Sequence, residues 1–162
     1  MRVAQQLTDS FYSSFIRVLP WKKKVWKEAR ERHQPGVTPP YVTTILGRKR
    51  RLPDLLAFRD GDRLSAERQA VSVVISGSSA DLFKVIMINC HNELLRQPWE
   101  GHILMTVHDE IVVEAPAEYK QEAYDLVKRT MENVLNPFTG EPMVSVPLIA
   151  EAKIVTRWSE AK

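Results

Sequence analysis

Three consecutive residues, His108, Asp109 and Glu110, have side chains that can carry out acid–base or metal chemistry. Apolar residues flank them on both sides, so the sequence places them at a turn between two strands. A hairpin turn usually contains Asn, Gly or Asp-Gly, and two neighbouring carboxylates repel each other unless a cation neutralises them. A divalent metal bound by oxygen ligands would supply that cation. Taken alone, the tripeptide fits both a metal site and an ordinary solvated turn.

The other residues with reactive side chains give weaker indications. His33, His91 and His102 show no ligand spacing among themselves, so we expect surface or packed histidines. Cys90 is the single cysteine and lies in an apolar stretch, which predicts a buried thiol and excludes an internal disulfide. Asp81 follows two serines, and we expect it to offset the positive end of a helix rather than to act in catalysis.

The elements that position these residues begin with helices. Residues 3–32 contain no glycine, and Pro20 is expected to divide them into an apolar-aromatic helix and a basic helix. The proline-rich residues 33–40 predict a loop, and the β-branched residues within 41–46 predict a strand. The basic residues 48–51 would then lie where this strand runs out into a loop.

A long helical stretch is expected over 64–95, and Gly77 is expected to break it into two helices. Ser78 or Ser79 would be the N-cap of the second helix. Asp81 would then lie in the first turn of that helix.

Around residue 101 the pattern changes from helical to strand-like: Ile103, Met105 and Val107 would lie on one face of a strand and Leu104 and Thr106 on the other. Residues 111–114 predict a second strand, joined to the first by the His-Asp-Glu turn. Apolar residues at helical spacing over 116–135 predict a helix that covers the sheet, and the alternation over 144–155 predicts a third strand. Helices followed by strands, without a regular βαβ alternation, predict an α+β fold with helices packed on a small antiparallel sheet.

Composition adds the charge distribution. The 162 residues carry a formal charge of +3, but Lys and Arg concentrate in 22–32 and 48–51. Such local basic potential fits an acidic partner such as nucleic acid, with a solvated basic face as the alternative. The absence of an uninterrupted apolar run of about 18 residues leads us to expect a soluble, intracellular protein without a membrane partner.

Several stretches, in this order, resemble family A (bacterial polymerase I-like) DNA polymerases. The resemblance covers nearly the whole chain, including a helix over 4–15 that is similar to the end of the fingers. Its motifs are Tyr41 to Arg50 with Pro53, Ala66-Glu67-Arg68, Gly77-Ser78-Ser79-Ala80-Asp81, Val107-His108-Asp109-Glu110 with Glu114-Ala115-Pro116, and the last strand before Trp158. The resemblance implies a helical segment over 1–40 and a palm-like subdomain over 41–162, whose sheet carries a catalytic hairpin.

The resemblance also implies a chemistry. Template-directed nucleotidyl transfer uses two Mg²⁺ ions held by carboxylates. Asp109 matches one bridging aspartate of the family, and Glu110 matches a supporting carboxylate, so both are expected catalytic and metal-binding residues. DNA-binding roles are implied for His108 at the primer terminus, Arg68 in the minor groove, the phosphate-contacting Arg48, Lys49 and Arg50, and Ser72 and Ser76.

Some residues depart from the family pattern. Ser72 and Ser76 stand where the family has an asparagine and a glutamine, so their shorter side chains are expected to grip the primer-template differently. Arg51 replaces a usually aromatic residue. The Asp-Tyr-Ser-type motif with the second metal-binding aspartate and the nucleotide-binding helix ending in Tyr-Gly are not among the 162 residues.

We therefore expect the C-terminal part of a DNA-directed DNA polymerase, inactive alone and completed by an upstream polymerase chain. It would be either one half of a split enzyme or a truncated gene product. The expected partners are DNA primer-template and deoxynucleoside triphosphates, and the expected location is the cytoplasm or the nucleoid. The alternatives are a non-catalytic DNA-binding module derived from such a polymerase and an unrelated α+β interaction domain.

Overall fold

The computed structural model describes residues 2–160, and its chain forms two compact units. The first unit ends at Ser79 and the second begins at Ala80. The division into 1–40 and 41–162 predicted from the resemblance follows family subdomains instead of compactness, and it stays a prediction. Residues 1, 161 and 162 of those segments lie outside the described residues.

Two helices open the first unit, as the sequence predicts. They are α1, Arg2–Ser14, and α2, Val18–Glu31. The predicted boundary is wrong, because Pro20 lies in the first turn of α2 and not between the helices. The first-turn N–H groups of a helix have no partner within it, so a residue without an N–H is tolerated there.

A short antiparallel hairpin follows the loop. Strand β1, Tyr41–Thr43, pairs with strand β2, Lys49–Arg51, and Tyr41 lies opposite Arg51. The predicted strand is therefore too long, and most of the basic run forms the second strand instead of a loop. Gly47 allows the reversal because its φ is +82°, a conformation that glycine adopts at little energetic expense.

The long helical stretch is continuous, contrary to the predicted break at Gly77. Helix α3, Asp60–Ser72, passes through a π-helical turn, Val73–Gly77, into helix α4, Ser78–Leu95. The Ser78 hydroxyl accepts a hydrogen bond from the Ile45 N–H and donates one to the Val74 carbonyl. Ser78 is thus not an N-cap, and Asp81 does not lie at a free helix end.

The core of the first unit joins α2, β1, a 3₁₀ turn over Pro53–Leu56 and α3. Trp26 and Val73 pack against this core from its edge. The indole N–H of Trp26 also donates to the Glu67 carbonyl at 2.8 Å, which ties α2 to α3. The buried residues are Val25, Ala29, Val42, Leu52, Leu55, Ala66 and Ala70.

The second unit contains the predicted hairpin and its covering helix. Strand β3, His102–Val107, pairs with strand β4, Glu110–Glu114, and helix α5, Lys120–Glu132, follows a 3₁₀ turn. Leu94, Trp99, Ala123 and Leu126 form its buried cluster, with side chains of both strands packed against them. A bulge between Ile103 and Met105 breaks the strict alternation predicted for β3, so Leu104 and Met105 are both exposed.

The predicted third strand is wrong. Residues 144–155 form no regular element within the described chain, and several of their apolar side chains are exposed, including Val146, Ile149 and Ile154. An alternating sequence becomes a strand only where a neighbouring strand accepts its backbone hydrogen bonds. The described residues provide no such neighbour for this segment.

The helical stretch Asp60–Leu95 is long and apolar enough to cross a membrane by length and composition alone. Core helices of soluble proteins pass the same test, so the finding is weak evidence for a membrane span. Only 17% of its apolar window is buried in the described chain. The stretch therefore carries apolar surface that this chain itself does not cover.

Candidate functional site

The reactive tripeptide lies at the tip of the β3–β4 hairpin. His108 and Asp109 form a two-residue turn, because Val107 pairs directly with Glu110. Glu110 is therefore the first residue of β4 and not part of the turn itself. All three polar side chains are exposed. The structure thus brings an imidazole and two carboxylates together on a surface that a ligand can reach.

The backbone of His108 is in a conformation that favours glycine. Its φ is +57°, and it is the one non-glycine residue with positive φ among residues 2–160. A side chain in this region is strained by about 1 kcal/mol or more, and such residues concentrate at functional sites. His108 is therefore a candidate for a functional role, although histidine is one of the few non-glycine residues enriched in this region.

The tip carries two neighbouring carboxylates, Asp109 and Glu110. No group of three or more His, Cys, Asp or Glu side chains able to hold a metal occurs within the described part of the chain. Mg²⁺ commonly binds through one or two carboxylates and completes its shell with water and substrate phosphates. Asp109 and Glu110 fit that donor set as one side of a shared site.

The cations of the first unit's hairpin are exposed. Lys49 lies 5.1 Å from the centre of the Tyr41 ring, and Arg32 approaches the same ring to 5.6 Å. Arg50, opposite Val42 in the ladder, is also exposed. These two consecutive residues of β2, Lys49 and Arg50, therefore remain available to an anionic partner, each on its own face of the hairpin.

Arg48 has a different environment. Its Nη2 donates to the carbonyl of Gly77 at 3.0 Å, and its backbone N–H donates to the Thr44 hydroxyl at 3.2 Å. Thr44 also contacts Gly77 closely, since a Cβ added at Gly77 would lie 2.8 Å from the Thr44 methyl group. The basic hairpin is thus attached to the π-helical turn.

The predicted minor-groove residues share one exposed surface. Arg68 and Ser72 are four residues apart on α3, which places them on the same face of the helix. Ser76 is exposed too, within the π-helical turn and next to Gly77. The structure therefore brings the basic hairpin and the Ser76 end of this surface together. The His108 tip belongs to the other unit.

Sequence reasoning missed the residues that hold this surface. Glu67, which is mostly buried, accepts a bond from Arg30 Nη2 at 2.5 Å, while its carbonyl accepts the Trp26 indole N–H. These contacts hold one side of α3 against α2 and leave the neighbouring Arg68 exposed. The sequence carries no signal for the Arg30–Glu67 pair, because the two residues are 37 positions apart in the chain.

Carboxylates of the basic helix α2 pair with two of its lysines and with the arginine that follows it. Ion pairs join Lys24 to Glu28 at 3.8 Å and Lys27 to Glu31 at 3.6 Å, both four residues apart. Arg32 also lies 3.4 Å from Glu28. Such exposed pairs add little stability, but they weaken the attraction of this helix for an anionic partner.

Cys90 is buried, as predicted. Burial raises the pKa of its thiol from 9.0 to about 11, because a thiolate is poorly solvated there. A thiol that stays protonated is a poor nucleophile and a poor metal ligand. Cys90 therefore has a structural role in the helix that leads into the second unit.

The chain is similar to known proteins over nearly all its length. The family model for DNA polymerase family A matches residues 1–160. The thermostable DNA polymerase I of Thermus filiformis is 35% identical over 98% of this chain, and so is DNA polymerase I of Streptococcus pneumoniae serotype 4. The chain spans 17% and 16% of the lengths of these relatives.

A solved structure shows the same likeness. The POL domain of Pol1 from M. smegmatis, in complex with DNA primer-template and dNTP, is 32% identical, with a TM-score of 0.72. The match covers 82% of this chain and 22% of that one. A mixed arrangement of helices and small antiparallel sheets is thus shared with a polymerase domain.

Proposed function

The chain belongs to DNA polymerase family A, and from this premise we propose that it forms part of a DNA-directed DNA polymerase. It would contribute one catalytic carboxylate and part of the primer-template surface. The observation that carries the proposal is the exposed hairpin tip, where a strained His108 precedes Asp109 and Glu110. A turn selected for folding alone would have Gly or Asn at the position of His108.

Asp109 is the residue proposed to hold Mg²⁺, with Glu110 as a supporting carboxylate. When bound, Mg²⁺ supplies positive charge that activates the primer hydroxyl and stabilises the phosphates during nucleotidyl transfer. Asp109 lies in the turn itself, so its carboxylate can approach a ligand from beyond the strand ends. The exposed His108 would donate a hydrogen bond to the primer terminus and orient it beside Asp109.

The first unit supplies the proposed contacts with the primer-template duplex. Arg68 would donate to minor-groove acceptors, which all base pairs present in similar positions. Ser72 and Ser76 would continue this surface through water, because a hydroxyl reaches less far than an amide side chain. Lys49 and Arg50 would contact phosphates without reading the sequence.

The remaining parts of the catalytic site must come from another polypeptide segment. The second bridging aspartate and the nucleotide-binding helix are not among the 162 residues, and the chain spans only 17% of a relative. An upstream polymerase chain would supply both, together with the deoxynucleoside triphosphate site. The complete assembly would work where DNA is present, in the cytoplasm or at the nucleoid.

Primer extension tests the proposal. The chain would be mixed with an upstream family A polypeptide that carries the missing segments and ends before the residues this chain matches. Extension is expected in the mixture and not with either part alone. Asp109→Asn should lower the rate in the mixture at least about 100-fold, because a metal-binding charge is removed.

Glu114→Gln provides a matched control for this experiment. It also removes one exposed carboxylate from β4, but at the opposite end of the strand, so extension should be unchanged. If Asp109→Asn retained full activity, the catalytic assignment would be wrong. Salt-sensitive duplex binding without extension in the mixture would favour the non-catalytic DNA-binding module instead.

A further inference from the structure

We propose that Arg48 is a positioning residue that clamps the basic hairpin to the π-helical turn. The hairpin cations Lys49 and Arg50, whose side chains leave opposite faces of β2, would then be held at fixed positions relative to the exposed face of α3. The inference rests on the proposed function for what these cations and this face bind. The clamp itself lies within the first unit and can be tested without DNA.

The π-helical turn provides the acceptors for the clamp. A π-helical turn departs from the regular i→i+4 ladder and is frequently found at functional sites. Here two carbonyls at this turn accept side-chain hydrogen bonds, Val74 from Ser78 and Gly77 from Arg48. A guanidinium donor makes the bond to Gly77 charge-assisted and therefore stronger than a neutral one.

Two further contacts hold the same part of the hairpin. The Ile45 N–H donates to the Ser78 hydroxyl at 3.0 Å. The buried Thr44 packs its methyl group so closely on Gly77 that any side chain at Gly77 would collide with it. Arg48, Ile45 and Thr44 all lie in the turn between β1 and β2, so the turn is held at three points.

The consequence for DNA binding concerns geometry. Ser76 directly precedes Gly77, whose carbonyl accepts the hydrogen bond from Arg48. Lys49 directly follows Arg48 in the chain. The clamp thus fixes the distance between phosphate-binding cations on β2 and the groove-facing surface of α3. A preorganised surface loses less conformational entropy when it binds. The Arg48 guanidinium acts by holding this arrangement and does not itself meet a phosphate.

Amide hydrogen exchange tests the clamp on the free chain. Arg48→Met removes the guanidinium but keeps an apolar stem, and it should make the Ile45 amide exchange about fivefold faster, as expected for loss of one supporting hydrogen bond. Arg50→Met removes the same charge from the neighbouring strand and should leave that amide unchanged. An Ile45 exchange rate unaffected by Arg48→Met would overturn the clamp.

The salt dependence of binding to a primer-template duplex separates positioning from direct contact. The slope of log K against log salt concentration is negative, and loss of one phosphate contact reduces its magnitude by about 0.9. Arg50→Met should show that reduction. Arg48→Met should weaken binding at every salt concentration without changing the slope.

Each outcome has a distinct meaning. A slope reduced equally by both substitutions would make Arg48 a phosphate contact and overturn the proposal. If the unmodified chain showed no salt-dependent duplex binding, the proposed function would fail at this surface. The exchange of the Ile45 amide would still decide whether Arg48 clamps the hairpin.

Discussion

His108 combines a functional side chain with an unfavourable backbone conformation. Its φ of +57° at the hairpin tip is one that glycine adopts freely and that other residues adopt with strain. Natural sequences tolerate such strain where the side chain has another role. This reasoning gives a test in which stability and activity should change in opposite directions.

Replacing His108 with glycine should stabilise the fold and impair catalysis. We expect His108→Gly to raise the free energy of unfolding by up to about 1 kcal/mol, because the relief of strain exceeds the entropic penalty of introducing a glycine. Primer extension in the reconstituted mixture should fall at least about fivefold, because the contact with the primer terminus is lost. Urea denaturation and steady-state kinetics would measure the two effects.

Asp109→Gly is the control for the stability effect. Asp109 is not among the residues with positive φ, so glycine there should lower the free energy of unfolding by about 0.5 kcal/mol. If His108→Gly destabilised the chain to the same extent, the strain at the tip would play no part in the folding energy.

Cys90 should make stability depend on pH in the alkaline range. Burial raises its pKa from 9.0 to about 11 in the folded chain. Between these values the unfolded thiol loses its proton while the folded one keeps it, so alkali favours the unfolded state. The contribution is therefore fully present below about pH 9 and is lost as the pH rises towards 11.

Comparison with Cys90→Ala isolates this effect from the titration of Lys and Tyr. The stability difference between the two proteins should be constant from pH 7 to about 9 and then shrink, as followed by urea denaturation. Alkylation should give the same result, with the native thiol reacting far more slowly at pH 8 than the unfolded one. Rapid alkylation of the folded chain would contradict the assigned burial.

At the level of elements, Gly77 allows the helix to contact the turn of the β1–β2 hairpin. A Cβ at this position would lie 2.8 Å from the Thr44 methyl group. We expect Gly77→Ala to destabilise the first unit by about 1–3 kcal/mol through overpacking. Thr44→Ser removes that methyl group but keeps the hydroxyl, so the double variant should recover most of the loss.

Gly61→Ala is the matched control for the effect at Gly77. Gly61 lies in α3 with nothing within 4 Å of an added Cβ. Alanine there should raise stability by up to about 1 kcal/mol, because glycine is a poor helix former. Thermal unfolding of the four proteins gives the comparison. A double variant as unstable as Gly77→Ala alone would show that the Thr44 methyl is not the obstacle.

Local patterns predicted the elements whose partners are near in sequence. The strands around His108 lie side by side through a two-residue turn, so the apolar runs on either side of that turn were sufficient to predict them. Residues 148–154 alternate more regularly, but the described residues offer no strand to pair with them. Periodicity thus identifies which residues can form a strand, and only the neighbouring strand decides whether they do.

The errors at Pro20 and Gly77 have a similar cause. Both residue types usually interrupt helices, yet each is accommodated by its place in the fold. Pro20 lies in a first turn that needs no N–H donor, and Gly77 lies where another segment approaches the helix. For the site, the sequence identified Arg48 as a cation but could not reveal its bond to the Gly77 carbonyl, which joins residues far apart in the chain.

At the level of the whole molecule, the apolar surface is larger than this chain can bury. Helix α1 and the residue after it expose Val3, Leu7, Phe11 and Phe15, with 68%, 68%, 48% and 57% of each residue accessible. Their spacing of four places them along one face of the helix. Exposed apolar stripes of this kind mark interaction surfaces, and the proposed upstream polymerase polypeptide is the partner that this stripe would contact.

The stripe on α1 should therefore contribute to binding of the upstream polymerase polypeptide. Burial of a leucine side chain contributes about 1.5–3 kcal/mol, so Leu7→Ser should weaken assembly roughly 10- to 100-fold. Gln5 lies on the opposite face of α1, and Gln5→Ser changes helix propensity similarly, so this substitution should leave assembly intact.

Titration of primer extension against chain concentration would give the affinities of both variants for the upstream polypeptide. Equal effects of the two substitutions would show that α1 contributes helix stability and no contact surface, whereas a selective loss with Leu7→Ser would identify α1 as part of the interface that completes the enzyme.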